Sequence, residues 1–298
     1  MKTLHGVFAP VVTTFDAVHG ELDVSAFASN VRAHLAAGLH GIVVTGSTGE
    51  AALLDGIERN ALIDAARDII PADKWLIAGV GAESTRTCLQ FVRDAARRGA
   101  DAVLVVAPHY YTAAMTEAAL LQHYRRIADG SPVPVLLYSI PKYMHFSLSP
   151  ALVAELARHE NVIGIKDSSG NRDLFASYME SQSTSFSVLT GNAPMFHHAL
   201  STGATGGILA VALFAAKLSL DIYNDMASGH APAAESTQAR MTPLGARIVG
   251  ELGVPGVKAA MDRVGLTGGP VRSPLLPLGA GDVSVVEELL QAVELTPA

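Results

Sequence analysis

Eight short apolar runs alternate with helix-like stretches over the first 212 residues, and this rhythm limits the folds open to the chain. Each run is rich in Val, Ile and Leu and is continuous, which is typical of parallel strands buried on both faces. Eight strand–helix units therefore predict an α/β protein with the (β/α)8 TIM-barrel architecture. The runs occupy residues 6–15, 41–47, 75–82, 101–108, 133–141, 162–169, 186–192 and 206–212.

The stretches between the runs carry start and stop signals of helices. One stretch opens at Ser84 and closes on Gly99, and another closes on Gly38. Such residues cap the two ends of helices. A doubly wound open sheet is the main alternative, but no Gly-rich GxGxxG turn follows the first run.

Helix-like sequence dominates the chain after the eighth run. We assign residues 1–215 to the barrel strands and most of the helices. Residues 216–298 are assigned to the last barrel helix and a C-terminal helical extension of the same structural unit. The Pro- and Gly-rich segment 267–281 is interpreted as an extended link on the surface.

Composition argues against several kinds of partner. Hydrophobic residues make up 49% of the chain and charged residues 16%, and the net charge of −7 argues against nucleic acid. No run reaches the ~18 apolar residues of a membrane span, and the N-terminus lacks a secretory signal pattern. We therefore expect a soluble, cytoplasmic protein, and the single cysteine, Cys88, fits a reducing compartment because it cannot form an internal disulfide. The eleven histidines show no metal-ligand spacing, so no metal is predicted.

The sixth run ends in a lysine, at the end of a strand where a barrel of this kind carries its active site. In "VIGIKDSSG" (162–170), strand parity places Lys166 on the same face as Gly164 and Ser168. If that face points into the barrel, desolvation disfavours the ammonium, and a neutral amine can form a Schiff base with a ketone. The alternative is a structural lysine that reaches solvent or pairs with Asp167.

The fifth run supplies a tyrosine that can assist such an amine. Tyr138 lies on the strand predicted to neighbour that of Lys166, and adjacent strands are roughly 4.8 Å apart. A phenol at that distance can relay protons during imine formation and cleavage. Taken alone, a core tyrosine with its hydroxyl bonded to backbone is the commoner explanation.

The turn "TGSTGE" (45–50) after the second run offers two hydroxyl groups, Ser47 and Thr48. Backbone N–H groups and hydroxyls there form a small anion site that suits a carboxylate better than a phosphate. The spacing of a P-loop is missing. The alternative is ordinary turn chemistry, in which Ser47 or Thr48 caps a helix and Glu50 completes the cap.

Four motifs, "GSTGE", "PHYY", "YSIP" and "GIKDSSG", end the second, fourth, fifth and sixth runs in that order. Together they resemble the dihydrodipicolinate synthase/N-acetylneuraminate lyase family of Schiff-base-forming (β/α)8 enzymes, over nearly the whole chain. The resemblance implies that Lys166 forms an imine with pyruvate or another 2-oxo acid and that Tyr138 shuttles protons. It also implies that Ser47 and Thr48 hold the carboxylate of that acid and help the proton relay.

The same resemblance bears on subunit contacts and on the far end of the substrate. Tyr111 matches a tyrosine that family members donate across a dimer interface into the neighbouring active site. Ile208 matches a position whose backbone faces the bound keto acid, and Ser168 is placed to contact the far end of the substrate. The family suggests a homotetramer built as a dimer of dimers. It also suggests that no cofactor is needed beyond the covalent imine on Lys166.

Two departures from the family patterns concern the substrate. Synthases of the family carry an arginine two residues after the proline of the tyrosine motif, whereas "YSIPKYMHF" (138–146) has Tyr143 there. Lys142 would point elsewhere if this segment is extended. N-acetylneuraminate lyases carry acidic residues after the glycine of the seventh strand, and "TGNAPMF" (190–196) has none. Several phrases, with Ser139 in the tyrosine motif among them, are closest to the 4-hydroxy-2-oxoglutarate aldolase branch.

The sequence therefore predicts a class I carbon–carbon lyase that cleaves a 4-hydroxy-2-oxo acid, similar to 4-hydroxy-2-oxoglutarate, into pyruvate and an aldehyde. Alternative reactions are those of 4-hydroxy-tetrahydrodipicolinate synthase, of N-acetylneuraminate lyase, and of an aldolase or dehydratase of 2-keto-3-deoxy sugar acids. A 2-oxo acid sensor is the alternative outside enzymes. A phosphate-binding barrel enzyme is a further alternative, and it would need a Gly-rich anion site after the seventh and eighth strands. The Gly-rich segment "STGATGG" (201–207) precedes the last strand rather than following it.

Overall fold

The computed structural model describes residues 4–295, and its centre is a closed barrel of eight parallel strands. Each strand pairs with the next in the chain, and the eighth closes onto the first, so the predicted TIM barrel is confirmed. Our assignments for residues 1–3 and 296–298 lie outside the described residues. The strands β1 to β8 are Gly6–Pro10, Gly41–Val44, Trp75–Gly79, Ala102–Val106, Val135–Ser139, Val162–Asp167, Ser187–Thr190 and Gly206–Ile208.

Helices cover the outside of the barrel and continue beyond β8. The helices α1 to α12 are Val24–Ala36, Gly56–Arg67, Thr85–Arg97, Glu117–Gly130, Pro141–Met144, Pro150–Leu156, Arg172–Met179, Phe196–Ser201, Ala216–Ala227, Ala231–Pro243, Gly253–Arg263 and Ala280–Gln291. A π-helix, Leu244–Glu251, joins α10 to α11. Short 3-10 turns lie at Ala51–Leu53, Thr112–Ala114, Ala193–Met195 and Ala210–Leu213.

The helix boundaries follow the capping residues of the sequence. The side chains of Asp23, Asp55 and Ser84 accept backbone N–H groups at the starts of α1, α2 and α3. These bonds satisfy amide groups that have no partner within the helix. After α1 and α3, Gly38 and Gly99 take φ values of 96° and 82°, in the left-handed region that favours glycine.

Strands β5 and β6 set the geometry at one side of the barrel mouth. Their register places Leu136 opposite Gly164 and Tyr138 opposite Lys166, after an irregularity at the start of β6. Side chains alternate across a strand, so the second pair lies on the same face as the first and closer to the carboxyl ends. The predicted neighbourhood of the tyrosine and the lysine is therefore observed.

The last part of the chain packs against the barrel. Buried side chains of α9 to α12 belong to the same hydrophobic cluster as those of the strands. Residues 264–279, between α11 and α12, form neither helix nor strand, which agrees with the predicted link over 267–279, whereas its last two residues begin α12. Within residues 4–295, no helix combines the length and the apolar character that crossing a membrane requires.

Candidate active site

The carboxyl ends of the strands open into a cavity of about 530 Å³. Residues of the strand ends, of the π-helix and of the start of α11 line it together. Tyr111 is not a lining residue in the part of the chain that the structure describes. The other predicted site residues all line the cavity: Ser47, Thr48, Tyr138, Lys166, Ser168 and Ile208.

Lys166 and Tyr138 lie side by side at the ends of β6 and β5. Lys166 Nζ is 4.2 Å from the centroid of the Tyr138 ring, and the two residues are 5% and 4% exposed. Neither the amine nor the phenol oxygen hydrogen-bonds to another residue of the described chain. The structural alternatives, a lysine paired with Asp167 and a tyrosine bonded to backbone, are not what the structure contains.

The turn after β2 presents Ser47 and Thr48 to the cavity. Thr13 donates its hydroxyl to the Gly49 carbonyl at 2.7 Å, and Thr45 donates to a carbonyl of β3 at 2.9 Å. These two bonds hold the turn from both sides. The hydroxyl groups of Ser47 and Thr48 have no hydrogen-bond partner among residues 4–295, so both are available to a ligand.

Glu50 ends this turn in a left-handed conformation, with a φ of 56° and a buried side chain. One carboxylate oxygen lies 2.6 Å from Lys258 Nζ, and the other accepts the backbone N–H of Arg272 at 2.8 Å. Burial lowers the pKa of the Lys258 ammonium, and the charge of Glu50 opposes that shift. The alternative in which Ser47 or Thr48 caps a helix completed by Glu50 is therefore wrong, because this carboxylate binds the C-terminal extension.

Gly191, directly after β7, lies against the reactive side of β6. A Cβ atom at this position would lie 2.0 Å from Ser168 Oγ and 2.7 Å from Lys166 Cε. Real atoms do not approach so closely, so a side chain here would displace both groups. The sequence showed a glycine at a strand end, and only the structure shows that the lysine needs it.

Residues 141–144 form the short helix α5, and this corrects one expectation. Pro141 stands at the start of that helix, where its fixed φ is favourable. The segment is helical rather than extended, so the condition under which Lys142 would point elsewhere is not met. Lys142 and Tyr143 both line the cavity. Lys142 Nζ donates to the carbonyl of Gly250 in the π-helix at 2.7 Å. Burial, and then the neighbouring phenol of Tyr138, raise the pKa of Tyr143.

Three basic side chains line the cavity, those of Lys142, Lys166 and Arg172. Among residues 4–295, no Asp or Glu is a lining residue. Sequence reasoning missed Arg172, which begins α7 and resembles any charged residue at an exposed helix start. Residues 4–295 contain no group of three or more His, Cys, Asp or Glu side chains arranged to hold a metal ion.

Asp167 lies on the opposite face of β6 from Lys166 and is 1% exposed. Its carboxylate accepts the backbone N–H of Ser169 at 3.1 Å and the Ser169 hydroxyl at 2.7 Å. Burial raises the pKa of the Asp167 carboxyl to about 6, and the bonds from Ser169 oppose that shift. Asp167 thus holds the turn that follows the lysine.

Tyr110 and Tyr111 follow β4 and are 77% and 71% exposed. Their rings form an edge-to-face pair with centroids 5.0 Å apart. Exposed aromatic pairs suit a contact with another chain, where tyrosine is enriched. The donation of Tyr111 to a neighbouring active site stays a prediction.

Comparisons with known proteins give matches over nearly the whole chain. The model of the dihydrodipicolinate synthetase family matches residues 3–293. A 4-hydroxy-tetrahydrodipicolinate synthase of Methanothrix thermoacetophila is 31% identical over 286 residues, which cover 96% of this chain and 95% of that protein. A DapA-like lyase of Halobacterium salinarum is 35% identical over 284 residues, which cover 95% of this chain and 92% of that protein.

A solved structure shows the same architecture with a ligand bound. YagE of Escherichia coli K12, a prophage protein of the dihydrodipicolinic acid synthase family, was solved in complex with pyruvate. The two chains superpose with a TM-score of 0.92 at 28% identity, and the match covers 98% of this chain and 99% of YagE.

Proposed function

This chain belongs to the dihydrodipicolinate synthetase family of class I carbon–carbon lyases, and we propose that Lys166 is its Schiff-base residue. One observation carries the proposal. A nearly buried amine ends β6 inside the cavity, with its Nζ 4.2 Å from the Tyr138 ring. The unbonded hydroxyls of Ser47 and Thr48 line the same cavity and can bind the carboxylate of a 2-oxo acid.

Imine formation uses Lys166 as the nucleophile. Its neutral amine adds to the C2 ketone of the 2-oxo acid, and the carbinolamine then loses water to give a protonated imine. Tyr138 moves the protons that these steps require, because its phenol lies beside the amine. Ser47 and Thr48 hold the carboxylate, which fixes the ketone against the lysine.

The protonated imine then accepts the electrons of the C3–C4 bond. The C4 hydroxyl gives its proton to Tyr138, assisted by Ser47 or Thr48, and an aldehyde leaves as the C3–C4 bond breaks. The resulting enamine takes up a proton at C3, and hydrolysis of the imine releases pyruvate and regenerates Lys166. The same imine allows loss of a hydroxyl from the substrate, which would make the enzyme a dehydratase.

For the substrate we favour a 4-hydroxy-2-oxo acid similar to 4-hydroxy-2-oxoglutarate. Tyr143 lines the cavity at the position where the synthases that the sequence resembles carry arginine. In the part of the chain that the structure describes, the cavity also lacks the acidic lining expected for the polyhydroxylated chain of a sialic acid. These two features support cleavage of a short acid over the other reactions of the family.

The second candidate is 4-hydroxy-tetrahydrodipicolinate synthase, and the names of the relatives favour it. Two synthases from methanogenic archaea are 31% and 32% identical to this chain. In that reaction the enamine of pyruvate attacks aspartate semialdehyde instead of being protonated. Lys142 and Arg172 line the cavity and can supply the positive charge that the missing arginine would otherwise provide.

Borohydride trapping tests the proposed lysine. The protein is reduced in the presence of pyruvate, and the modified peptide is identified by mass spectrometry. We expect one adduct on Lys166, its loss in Lys166→Met and its retention in Lys142→Met, the matched control inside the same cavity. An adduct on Lys142, or none at all, would refute the proposal.

Two activity assays then separate the two candidates. Release of pyruvate from 4-hydroxy-2-oxoglutarate supports the aldolase. Consumption of pyruvate together with aspartate semialdehyde supports the synthase. The candidate with the higher kcat/KM is retained, and the absence of both activities would refute both.

A further inference from the structure

We propose that Arg172 binds a second carboxylate of the substrate, so that the aldehyde half is an aldehyde acid rather than a neutral sugar aldehyde. This inference rests on the proposed function, because it takes the imine at Lys166 as the fixed end of the substrate. It adds a residue for which the sequence motifs provided no role.

The charges of the cavity are the first argument. Lys142, Lys166 and Arg172 line it, and no Asp or Glu side chain of residues 4–295 does. Lys166 forms the imine with the ketone, and the hydroxyls of Ser47 and Thr48 bind the first carboxylate. Two cations therefore remain beyond what pyruvate needs, and a cavity with uncompensated positive charge selects a substrate with a further negative group.

The bonding of these two cations is the second argument. Lys142 Nζ donates to the Gly250 carbonyl at 2.7 Å and lies 5.7 Å from the centroid of the Tyr143 ring. The guanidinium of Arg172 has no hydrogen bond or ion pair with any residue of the described chain. Guanidinium groups bind carboxylates through two parallel N–H bonds. Arg172 is thus the cation with free donors.

The backbone between the lysine and the arginine is the third argument. Asp167 accepts the Ser169 hydroxyl at 2.7 Å, and Ser169 Oγ accepts the backbone N–H of Asn171 at 3.1 Å. The Asn171 side chain in turn caps α7 at the N–H of Leu174. This chain of bonds fixes the turn from β6 to α7. The backbone of Arg172 is therefore held at a fixed position relative to the Schiff-base lysine.

The proposal narrows the set of substrates. Glyoxylate, the aldehyde released from 4-hydroxy-2-oxoglutarate, and aspartate semialdehyde, the co-substrate of the synthase, each carry a carboxylate. Both candidate reactions are therefore compatible with the proposal. The aldehydes released from 2-keto-3-deoxy sugar acids are neutral polyols, and they would leave Arg172 without a partner. Such an aldehyde would bring no acceptor to the Arg172 guanidinium and would gain no charge-assisted hydrogen bond from it, which disfavours that class.

The test compares two substrates that differ at one group. 4-Hydroxy-2-oxoglutarate has a distal carboxylate, and 4-hydroxy-2-oxopentanoate has a methyl group in its place. We expect Arg172→Gln to lower kcat/KM for the dicarboxylate by about 10- to 100-fold, as for the loss of a charged hydrogen bond. For the methyl compound we expect a change below about twofold, since no such bond exists there. In the condensation direction, glyoxylate and aspartate semialdehyde are compared with acetaldehyde.

Controls separate this proposal from the proposed function. Arg158→Gln removes an exposed arginine of a surface ion pair and should leave kcat/KM unchanged for both substrates. Pyruvate trapping on Lys166 should be unchanged in Arg172→Gln. If the unchanged protein does not trap pyruvate, the proposed function fails. If trapping persists but Arg172→Gln affects the charged and neutral substrates equally, or affects neither, the role of Arg172 is overturned. The role of Arg172 would also be overturned if Lys142→Met lost the preference for the dicarboxylate over the methyl compound while Arg172→Gln kept it.

Discussion

Lys258 Nζ lies 2.6 Å from Glu50 Oε1 inside the protein, where both side chains are buried. The ammonium also donates to the carbonyl of Pro270 at 2.6 Å. This ion pair joins the C-terminal extension to the turn that presents Ser47 and Thr48 to the cavity. The extension therefore takes part in positioning the proposed carboxylate site.

Glu50→Gln should destabilise the protein strongly, because it leaves the Lys258 ammonium buried without its counter-ion. Breaking a buried pair by removing one partner typically costs about 3–5 kcal/mol of unfolding free energy. Urea unfolding measures this loss. The double variant Glu50→Gln/Lys258→Met removes both charges and should lose less than the sum of the two single variants.

The surface pair Lys217–Asp221 provides the matched control. Its Nζ–Oδ2 distance is 2.7 Å, but the lysine side chain is 81% exposed. Asp221→Asn should cost less than about 0.5 kcal/mol, because water screens the pair. Equal losses at the buried and the exposed site, or strict additivity of the two buried changes, would contradict the argument.

Asp167→Asn should stabilise the protein near neutral pH and lose this advantage in acid. Burial raises the pKa of this carboxyl from 3.8 to about 6, so the folded state binds the proton more tightly than the unfolded state. The resulting stabilisation is fully present below pH 3.8 and is lost as the pH rises through about 6. Relative to the variant, the unfolding free energy of the wild type falls by about 3 kcal/mol as the pH rises across that window.

Thermal unfolding of both proteins at several pH values checks this prediction. The midpoint of the variant should exceed that of the wild type at about pH 7.5, and the two should converge at about pH 4. A difference in midpoint that is the same at both pH values would show that Asp167 acts by packing alone.

Tyr138→Phe should separate proton transfer from imine formation. The substitution keeps the ring that lies 4.2 Å from Lys166 Nζ and removes only the hydroxyl. Loss of a general acid–base group lowers kcat by about 10²- to 10⁴-fold. Trapping of pyruvate on Lys166 should persist at a lower rate.

Tyr223→Phe is the control for the loss of a tyrosine hydroxyl. Tyr223 bonds His5 at 3.1 Å beside the amino end of β1, away from the cavity. This variant should retain the wild-type kcat. If Tyr138→Phe also retains it, the phenol has no part in proton transfer.

Gly191→Ala should inactivate the enzyme with little loss of fold. The new methyl would lie 2.0 Å from Ser168 Oγ and 2.7 Å from Lys166 Cε, so both groups must move away from their positions. Small displacements of a catalytic group cost about 10²-fold in rate, and we expect at least that loss in kcat/KM.

Gly281→Ala is the matched control for Gly191→Ala. It adds the same methyl in α12, where nothing lies within 4 Å, and alanine there favours the helix. Circular dichroism should show native structure in both variants. Full activity of Gly191→Ala would mean that the lysine tolerates displacement.

The barrel and the lysine–tyrosine pair could be predicted because local rules determine them. Continuous apolar runs indicate buried parallel strands, and alternation of side chains places Lys166 on the face of Gly164. Neighbouring strands bring Tyr138 beside it. These rules need only the order of residues within a segment and the order of segments along the chain.

The rest of the site depends on contacts between distant segments. Helix α5 has four residues, too few to show a helical period, so the sequence did not indicate that Lys142 lines the cavity. No spacing rule connects Glu50 with Lys258, which pair only after the C-terminal extension has packed. The role proposed for Arg172 depends on the absence of acidic side chains around the cavity among the described residues, and that is a property of the folded surface.

Tyr111 supplies the last prediction, which concerns assembly. Its ring is 71% exposed in a single chain and does not line that chain's cavity, as expected if it serves the site of a second subunit. Tyr111→Phe and Lys166→Met should each be nearly inactive alone. In a hybrid dimer, one site carries both defects and the other carries neither, so co-expression should restore about a quarter of wild-type activity if subunits pair at random. Tyr110→Phe, the neighbouring exposed tyrosine, is the control and should retain activity alone. Isolation of the hybrid through two different affinity tags measures the recovery, and an inactive hybrid would place Tyr111 outside the partner's site.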